Sequence, residues 1–320
     1  MARPRLRYQP LNACLYAVSV TTTPQVPPRL RVGIIGSGRV GAVLGAALRR
    51  VGHPVIAVSA RTDLSRVRAE ALLPGVAIAD PRQVAAQCDL LLVTVPDDEL
   101  LSVAELIADV VHPGQYVMHA SGRYGIAVMG NLAKQGAIPL AVHPVMTFTG
   151  TSIDLERLED CPFGVTADPD GLPVAEALVI EMGGDPLVVA EESRLLYHAG
   201  LAHGANHLVT LVAQTCELLA SAGVAEPARL VGPLLRAALD NTLRQGDMAL
   251  TGPVARGDVR TLDAHVDELD RIDSVTAQTY RALALATAER ALAAEMLTQA
   301  KFDQVTEIVG RSAFRNGMAP

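Results

Sequence analysis

The stretch Arg31–Leu64, RVGIIGSGRVGAVLGAALRRVGHPVIAVSARTDL, decides how the rest of the chain is read. It opens with a short β-rich run, LRVGIIG. Gly36, Gly38 and Gly41 follow at GxGxxG spacing, where the run gives way to a helical pattern, GRVGAVLGAALRRVG, that itself ends at a glycine. Each glycine has a physical task in such a turn: Gly36 for the tight bend, Gly38 for close approach of a pyrophosphate, Gly41 for packing of the helix on the strand. The helix N-terminus then turns unpaired amides toward phosphates. A second strand, PVIAV, completes the unit. Strand, glycine loop, helix and strand in this order predict a dinucleotide site built from Gly36, Ser37, Gly38, Arg39, Val40 and Gly41.

The tip of the second strand separates NAD from NADP. A carboxylate there accepts the ribose diol of NAD. This chain reads Ser59-Ala60-Arg61-Thr62 instead, and Asp63 comes late enough to cap the segment that follows. Arg61 offers a fork of donors for a 2′-phosphate, with hydroxyls from Ser59 and Thr62 beside it. NADP is the expected cofactor.

Working outward, VAIA, DLLLVTV, GQYVMH and IPLAVH read as further strands, with the acidic-started helix DDELLSVAELIADV among them. Continuous apolar runs separated by helices suit a parallel sheet buried on both faces. CPFGVTA, GLPVAEALVIEMG and PLVVA extend this α/β unit to about Ala190. Beyond Glu191 the pattern is helical only: a long segment through YHAGLAHGANHL, a second interrupted at Gly232-Pro233, and two more around DVRTLDAHVDEL and TAQTYRALALATAERALAAEM. The expected domains are therefore a flexible extension over residues 1–28, a dinucleotide-binding domain over 29–190, and an all-helical domain over 191–320.

Composition narrows the partners. Half of the 320 residues are hydrophobic, enough for two cores. A net charge of −7 with no basic run argues against nucleic acid. The four cysteines, Cys14, Cys88, Cys161 and Cys216, form no CxxC, in keeping with a reducing cytoplasm. No segment reads as membrane-spanning. Only Lys134 and Lys301 are lysines among the 27 basic residues, so a lysine general acid has almost nowhere to come from.

Ligands of open parallel sheets collect beyond the carboxyl ends of the strands. Thr94, Val95 and Pro96 end one strand there and are expected beside the cofactor; His119 and Ser121 end a second, and His143 a third. On the long helix, His198, Ala202 and Asn206 share a face, and Asn206 offers an amide to a substrate or the nicotinamide. His203 and His207 also share a face but lack a carboxylate partner, so no metal is expected. Arg256, in LTGPVARGD after a Gly-Pro turn, is a candidate clamp for a substrate carboxylate. With lysine almost excluded, His143 leads as proton donor and His198 follows.

GIIGSGRVG, HASG, AVHPVMTF, YHAGLAHGANHL and LTGPVARGD together resemble a family of Rossmann-like oxidoreductases with a helical C-terminal domain of unknown function, from about Arg31 to Glu295. That family is similar to pyrroline-5-carboxylate reductase, ketopantoate reductase, the 6-phosphogluconate and β-hydroxyacid dehydrogenases, and F420-dependent NADP reductase. The resemblance implies a Rossmann domain followed by an all-helical domain of the 6-phosphogluconate dehydrogenase C-terminal-like type, a homodimer through the helical domain, and a small-molecule substrate in the cleft. Hydroxyacid dehydrogenases of that group use a lysine and, four residues later, an asparagine. The matching places here are Ala202 and Asn206, so the asparagine is kept and the lysine is not. The leading expectation is an NADP-dependent reductase of a small keto or imino acid such as ketopantoate. Hydride exchange with the deazaflavin F420 and a non-catalytic NADP-binding sensor are the alternatives.

Overall fold

The computed structural model describes residues 29–311; the extension expected over residues 1–28 lies outside them. Contacts divide the chain into two units, with the division between Leu201 and Ala202.

In the first unit β1 (Val32–Ile35) leads into α1 (Arg39–Arg50), β2 (Val55–Ser59) into α2 (Asp63–Leu72), and β3 (Ala77–Ile78) into α3 (Pro81–Ala85). Next come β4 (Leu90–Val93) and α4 (Leu100–Ile107), β5 (Tyr116–His119) and α5 (Gly130–Ala133), then β6 (Ile138–Pro144) and α6 (Ile153–Arg157). β7 (Pro162–Ala167), α7 (Leu172–Glu181) and β8 (Asp185–Val188) follow. All eight strands form one sheet, in the order β3-β2-β1-β4-β5-β6-β7-β8.

Alternation along the central strands divides the core between the two faces of the sheet. Val32, Ile34, Leu90 and Leu92 pack with α1 and α7 on one face. Ile35, Leu91 and Val93 pack with α3 and α4 on the other. A strand buried on both sides has no polar positions to spare, which is why these runs read as continuous apolar sequence.

The sheet departs from the expected all-parallel arrangement at one place. β6 and β7 are antiparallel, whereas β7 and β8 are parallel to each other. The connection from β6 holds only the five-residue helix α6 and stays at the carboxyl edge of the sheet. Gly150 within it, at φ +79°, sits against the Arg39 and Arg68 side chains. The chain therefore re-enters the sheet from the edge it has just left, reversed.

α8 (Arg194–Ser221) begins in the first unit and carries the chain into the second. There α9 (Pro227–Gln245), α10 (Gly252–Arg256), α11 (Val259–Ile272), α12 (Ser274–Ala293) and α13 (Gln299–Val309) follow, with no strand among the described residues. Val254, Leu262, Val266, Ala284, Ala288 and Val305 centre the core of this unit. The interruption expected at Gly232-Pro233 does not occur: α9 runs through Pro233. Proline removes one amide, and on so exposed a helix the carbonyl left over is open to solvent. The rigid turn expected at Gly252-Pro253 is the first turn of α10, where a proline costs nothing because those amides have no helical partner.

No helix among the described residues is long and apolar enough to cross a membrane.

Candidate functional site

The glycine loop joins β1 to α1 at the carboxyl edge of the sheet. Gly36 has φ +94°, and a Cβ there would lie 2.8 Å from the Thr94 carbonyl oxygen. Its amide and that of Ser37 both donate to the Ser59 carbonyl at 3.2 Å. Thr94 Oγ1 donates to the Gly36 carbonyl at 2.7 Å. The loop is thus laced to the ends of β2 and β4, the strands on either side of β1. A Cβ on Gly41 would overlap Thr94 Oγ1 and the Gly36 carbonyl, so α1 seats directly on the loop. Gly38, the N-cap of α1, has nothing within 4 Å of where a Cβ would be. Among the described residues no acceptor meets the amides of Gly38, Arg39 and Val40. Three unspent donors at a helix N-terminus, beside a backbone with no side chain over it, fit a pyrophosphate.

Two hydroxyls expected to face the cofactor are turned inward. Ser37 is fully buried, and its Oγ donates to the Ser59 and Ser65 carbonyls at 3.3 and 3.2 Å. Ser59 is 5% exposed. Thr62 is the N-cap of α2, with Oγ1 accepting from the Ser65 amide at 3.1 Å; Asp63, the expected cap, is the first helical residue. Thr94 is committed to Gly36, while Val95 is half-buried and Pro96 exposed after it. Arg61 is different. Its side chain is 78% exposed and pairs with Glu99 at 2.7 Å.

The second group of residues gathers at the ends of β5 and β6. His119 is fully buried: Nε2 meets the Gly125 carbonyl at 2.9 Å and Nδ1 accepts from the Ser121 amide at 3.2 Å. Burial pushes it down to about 4. Ser121 Oγ accepts from the Tyr124 amide. Both were candidates for the chemistry, and both instead close the loop after β5. Neutral and fully satisfied, His119 has nothing left for a ligand.

His143 stands apart. Its Nδ1 lies 2.9 Å from the Tyr197 hydroxyl, and its ring meets His198 edge-on, centroids 6.3 Å apart. Gly122 makes room for both rings: a Cβ there would lie 2.7 Å from His198 Cδ2 and 2.9 Å from His143 Nε2. Gly164 does the same for the Tyr197 hydroxyl. Burial, followed by the charges of Arg194 and His198, pushes His143 down to about 4. The proton donor expected from the sequence is therefore a neutral ring at neutral pH.

Arg194 and Tyr197 carry this arrangement, and the sequence reading passed over both. Arg194 is 1% exposed. Its guanidinium donates to Thr166 Oγ1 at 2.7 Å and to the carbonyls of Ala141, Gly164 and Ser121 at 2.7, 3.0 and 3.4 Å. It ties β5, β6 and β7 to the first turn of α8 and stands 5.7 Å from the centre of the Tyr197 ring. Burial lowers its own pKa and raises that of Tyr197. Arg194, Tyr197 and His198 fall at i, i+3 and i+4, a helix-face spacing readable in RLLYH.

The remaining candidates lie on the second unit. Asn206 is exposed on α8, and Arg256, also exposed, ends α10 with no ion pair among the described residues. His203 and His207 bring their Nδ1 atoms to 2.9 Å. Among the described residues no three His, Cys, Asp or Glu side chains are grouped to hold a metal.

The fold and the loop define a Rossmann-like protein with a helical C-terminal region. Residues 19–144 match the family model of a Rossmann-like domain, and residues 161–287 match that of a Domain of unknown function (DUF2520). The chain thus carries a Rossmann-like domain and a DUF2520 domain in that order. The second match begins at Cys161, so it includes the reversed strands β7 and β8. A provisionally assigned NADP oxidoreductase from Bacteroides fragilis is 20% identical at a TM-score of 0.69, over 82% of this chain and 98% of that one. An imine reductase from Streptomyces aurantiacus is 18% identical at 0.63, over 87% and 98%. The pyrroline carboxylate reductase of Plasmodium falciparum, with NADP bound, is 11% identical at 0.52, over 86% and 98%. These likenesses are of fold. No curated protein matches the chain in sequence.

Proposed function

We propose that the chain is an NADP-dependent reductase of a small keto or imino acid, with ketopantoate one candidate. The observation that supports it is a single sheet edge holding both halves of the chemistry. The open glycine loop lies at the end of β1, and His143, whose Nε2 has no hydrogen-bond partner among the described residues, lies near the end of β6. In the sheet these strands are three spacings apart, about 14 Å at about 4.8 Å each. That is within the span of an extended dinucleotide.

The pyrophosphate is assigned to the amides of Gly38, Arg39 and Val40, and the 2′-phosphate to Arg61, with no carboxylate at the β2 tip to favour a free ribose diol. The reduced cofactor, NADPH, would supply the hydride when bound. His143 Nε2 hydrogen-bonds the carbonyl oxygen or imine nitrogen of the substrate and gives it a proton. His198, edge-on to His143, is assigned to substrate positioning. In this reading residues 29–190 bind the cofactor and residues 191–320 serve the substrate and a homodimer. The dimer has support in α8 and α9, where Leu196, Val209, Leu234 and Leu243 are 68–78% exposed. Free thiols at Cys88, Cys161 and Cys216 suit a cytoplasmic setting.

Titration with NADPH and NADH, followed by nicotinamide fluorescence, tests the cofactor assignment. The expected result is a preference for NADPH of about tenfold or more, about 1.4 kcal/mol, and NADPH oxidation with a keto or imino acid. Preference for NADH overturns the Arg61 assignment. Tight binding of NADPH with no turnover across both substrate classes overturns the reductase and leaves a nucleotide sensor.

A further inference from the structure

The reductase reading leaves a gap: a histidine that is neutral at working pH has to deliver a proton. We infer that Tyr197, His143 and Arg194 form a proton relay that opens at His143 Nε2. The Tyr197 hydroxyl passes its proton to Nδ1 while Nε2 gives its own to the substrate, and the Arg194 guanidinium balances the phenolate left behind. This rests on the reductase reading for its substrate but on geometry alone for its wiring.

The relay requires one of the two arrangements this contact allows. The Tyr197 hydroxyl lies 2.9 Å from His143 Nδ1, and in the relay the hydroxyl is the donor. An Nδ1 that accepts leaves the single ring proton on Nε2. Among the described residues no protein group hydrogen-bonds Nε2, and Gly122, packed against that edge of the ring, brings no side chain to it. A neutral imidazole that lost this proton alone would become an imidazolate. Transfer at Nε2 therefore has to be matched by arrival at Nδ1, and Tyr197 is the donor in contact.

Arg194 makes the matched transfer affordable. It is buried among neutral acceptors only. The nearby acid, Glu191, is occupied by the amides of Ile126 and Ala127 at 2.7 and 3.1 Å. A buried cation with no ion pair in contact, on which Glu191 acts only through its charge at longer range, favours an anion formed beside it. The Arg194 charge opposes the effect of burial on Tyr197, drawing its pKa back down. Among the described residues the ionisable groups around His143 are His119 from β5 and Arg194, Tyr197 and His198 from α8, with no carboxylate among them.

The step balances. The electrophilic carbon accepts a hydride from the reduced nicotinamide, and the π pair of its C=O or C=N bond moves to the heteroatom. That atom takes the Nε2 proton, Nδ1 takes the Tyr197 proton, and the ring ends neutral in the opposite tautomer. Solvent returns one proton to Tyr197 after the product leaves, and the ring relaxes. One hydride and one proton are consumed per turnover.

Nitrogen-15 NMR of histidine-labelled full-length protein, with His143→Gln to assign the signals, tests the wiring. The expected result is a neutral His143 with its proton on Nε2 at pH 7, and a changed tautomer balance in Tyr197→Phe. A proton fixed on Nδ1, or a ring charged at pH 6, overturns the relay. Kinetics with NADPH and either ketopantoate or pyrroline-5-carboxylate test its use. In Tyr197→Phe, kcat should fall about 100-fold, while KM and NADPH affinity stay within about twofold. The loss of rate at alkaline pH, where Tyr197 ionises, should disappear. An unchanged kcat with the same alkaline limb overturns the relay. Failure of the wild type to bind NADPH would sink the cofactor reading instead, and the tautomer would still decide the wiring.

Discussion

Gly38 and Gly41 sit three residues apart in one loop, and alanine at each should fail in opposite ways. At Gly41 the new methyl overlaps Thr94 Oγ1 and the Gly36 carbonyl. Carbon contacts settle at about 3.5–4.0 Å, so α1 has to back away by about 1 Å or more. Overpacking of this kind costs about 1–3 kcal/mol. In a domain of this size that lowers Tm by about 2–4 °C for each kcal/mol. At Gly38 the backbone is at φ −74°, and the methyl meets nothing within 4 Å. The loss of a good N-cap and the gain from a stiffer unfolded chain each amount to some tenths of a kcal/mol and offset one another. Gly38→Ala should therefore melt within about 2 °C of wild type. The same methyl occupies the space assigned to the pyrophosphate, so NADPH affinity should fall at least about 100-fold. Differential scanning calorimetry beside a fluorescence titration separates the two. A Gly38→Ala protein that keeps full NADPH affinity refutes the phosphate assignment. A Gly41→Ala protein with unchanged Tm refutes the steric account of the loop.

The Arg61–Glu99 pair makes Glu99 a rival of the 2′-phosphate. Arg61→Ala should abolish discrimination between NADPH and NADH, and Glu99→Gln should tighten NADPH up to about fivefold, the worth of an exposed ion pair; competition titrations measure both. His119 and His143 are lowered from an ordinary 6.5 to about 4, so between these values the unfolded chain binds protons that the folded one refuses. Stability is complete above pH 6.5 and should be lost as pH falls toward 4, by up to about 3 kcal/mol for each ring. Urea midpoints should show that slope, and His143→Gln should flatten part of it. Leu234→Glu with Leu243→Glu should give a monomer in analytical ultracentrifugation with secondary structure unchanged; a wild type that is already monomeric would remove the dimer.

The glycine loop was legible because each of its glycines answers a local backbone demand. What Ser37, Ser59 and Thr94 do was not, because their partners arrive from strand ends 22 to 59 residues away. A hydroxyl beside a phosphate loop looks the same in sequence whether it faces ligand or core. His119 and His143 both follow apolar runs and read as equals. The loop to Gly125 gives Nε2 of the first an acceptor, while α8 reaches Nδ1 of the second with Tyr197 and leaves its Nε2 without a hydrogen-bond partner among the described residues. The reversal of β7 was hidden because strand direction depends on which edge the preceding loop keeps to. Pro233 misled for a different reason: a rule derived from isolated helices overstates the cost where solvent can serve the carbonyl. RLLYH was the signal left unread. An arginine, a tyrosine and a histidine on one helical face, just after the last strand, sit where side chains meet strand ends.

The four hydrogen bonds of Arg194 have a consequence for how the molecule comes apart. They span residues 121 to 194 and fasten the loop after β5, the interiors of β6 and β7 and a helix start to one planar group. Opening any one of these segments strands the others with unserved buried acceptors. The amides of β6, β7 and the first turn of α8 should therefore exchange with solvent as one cooperative block, at a common free energy, rather than fraying in sequence. An arginine replaced by lysine, with three donors on a flexible stem, would divide that block into pieces that open independently.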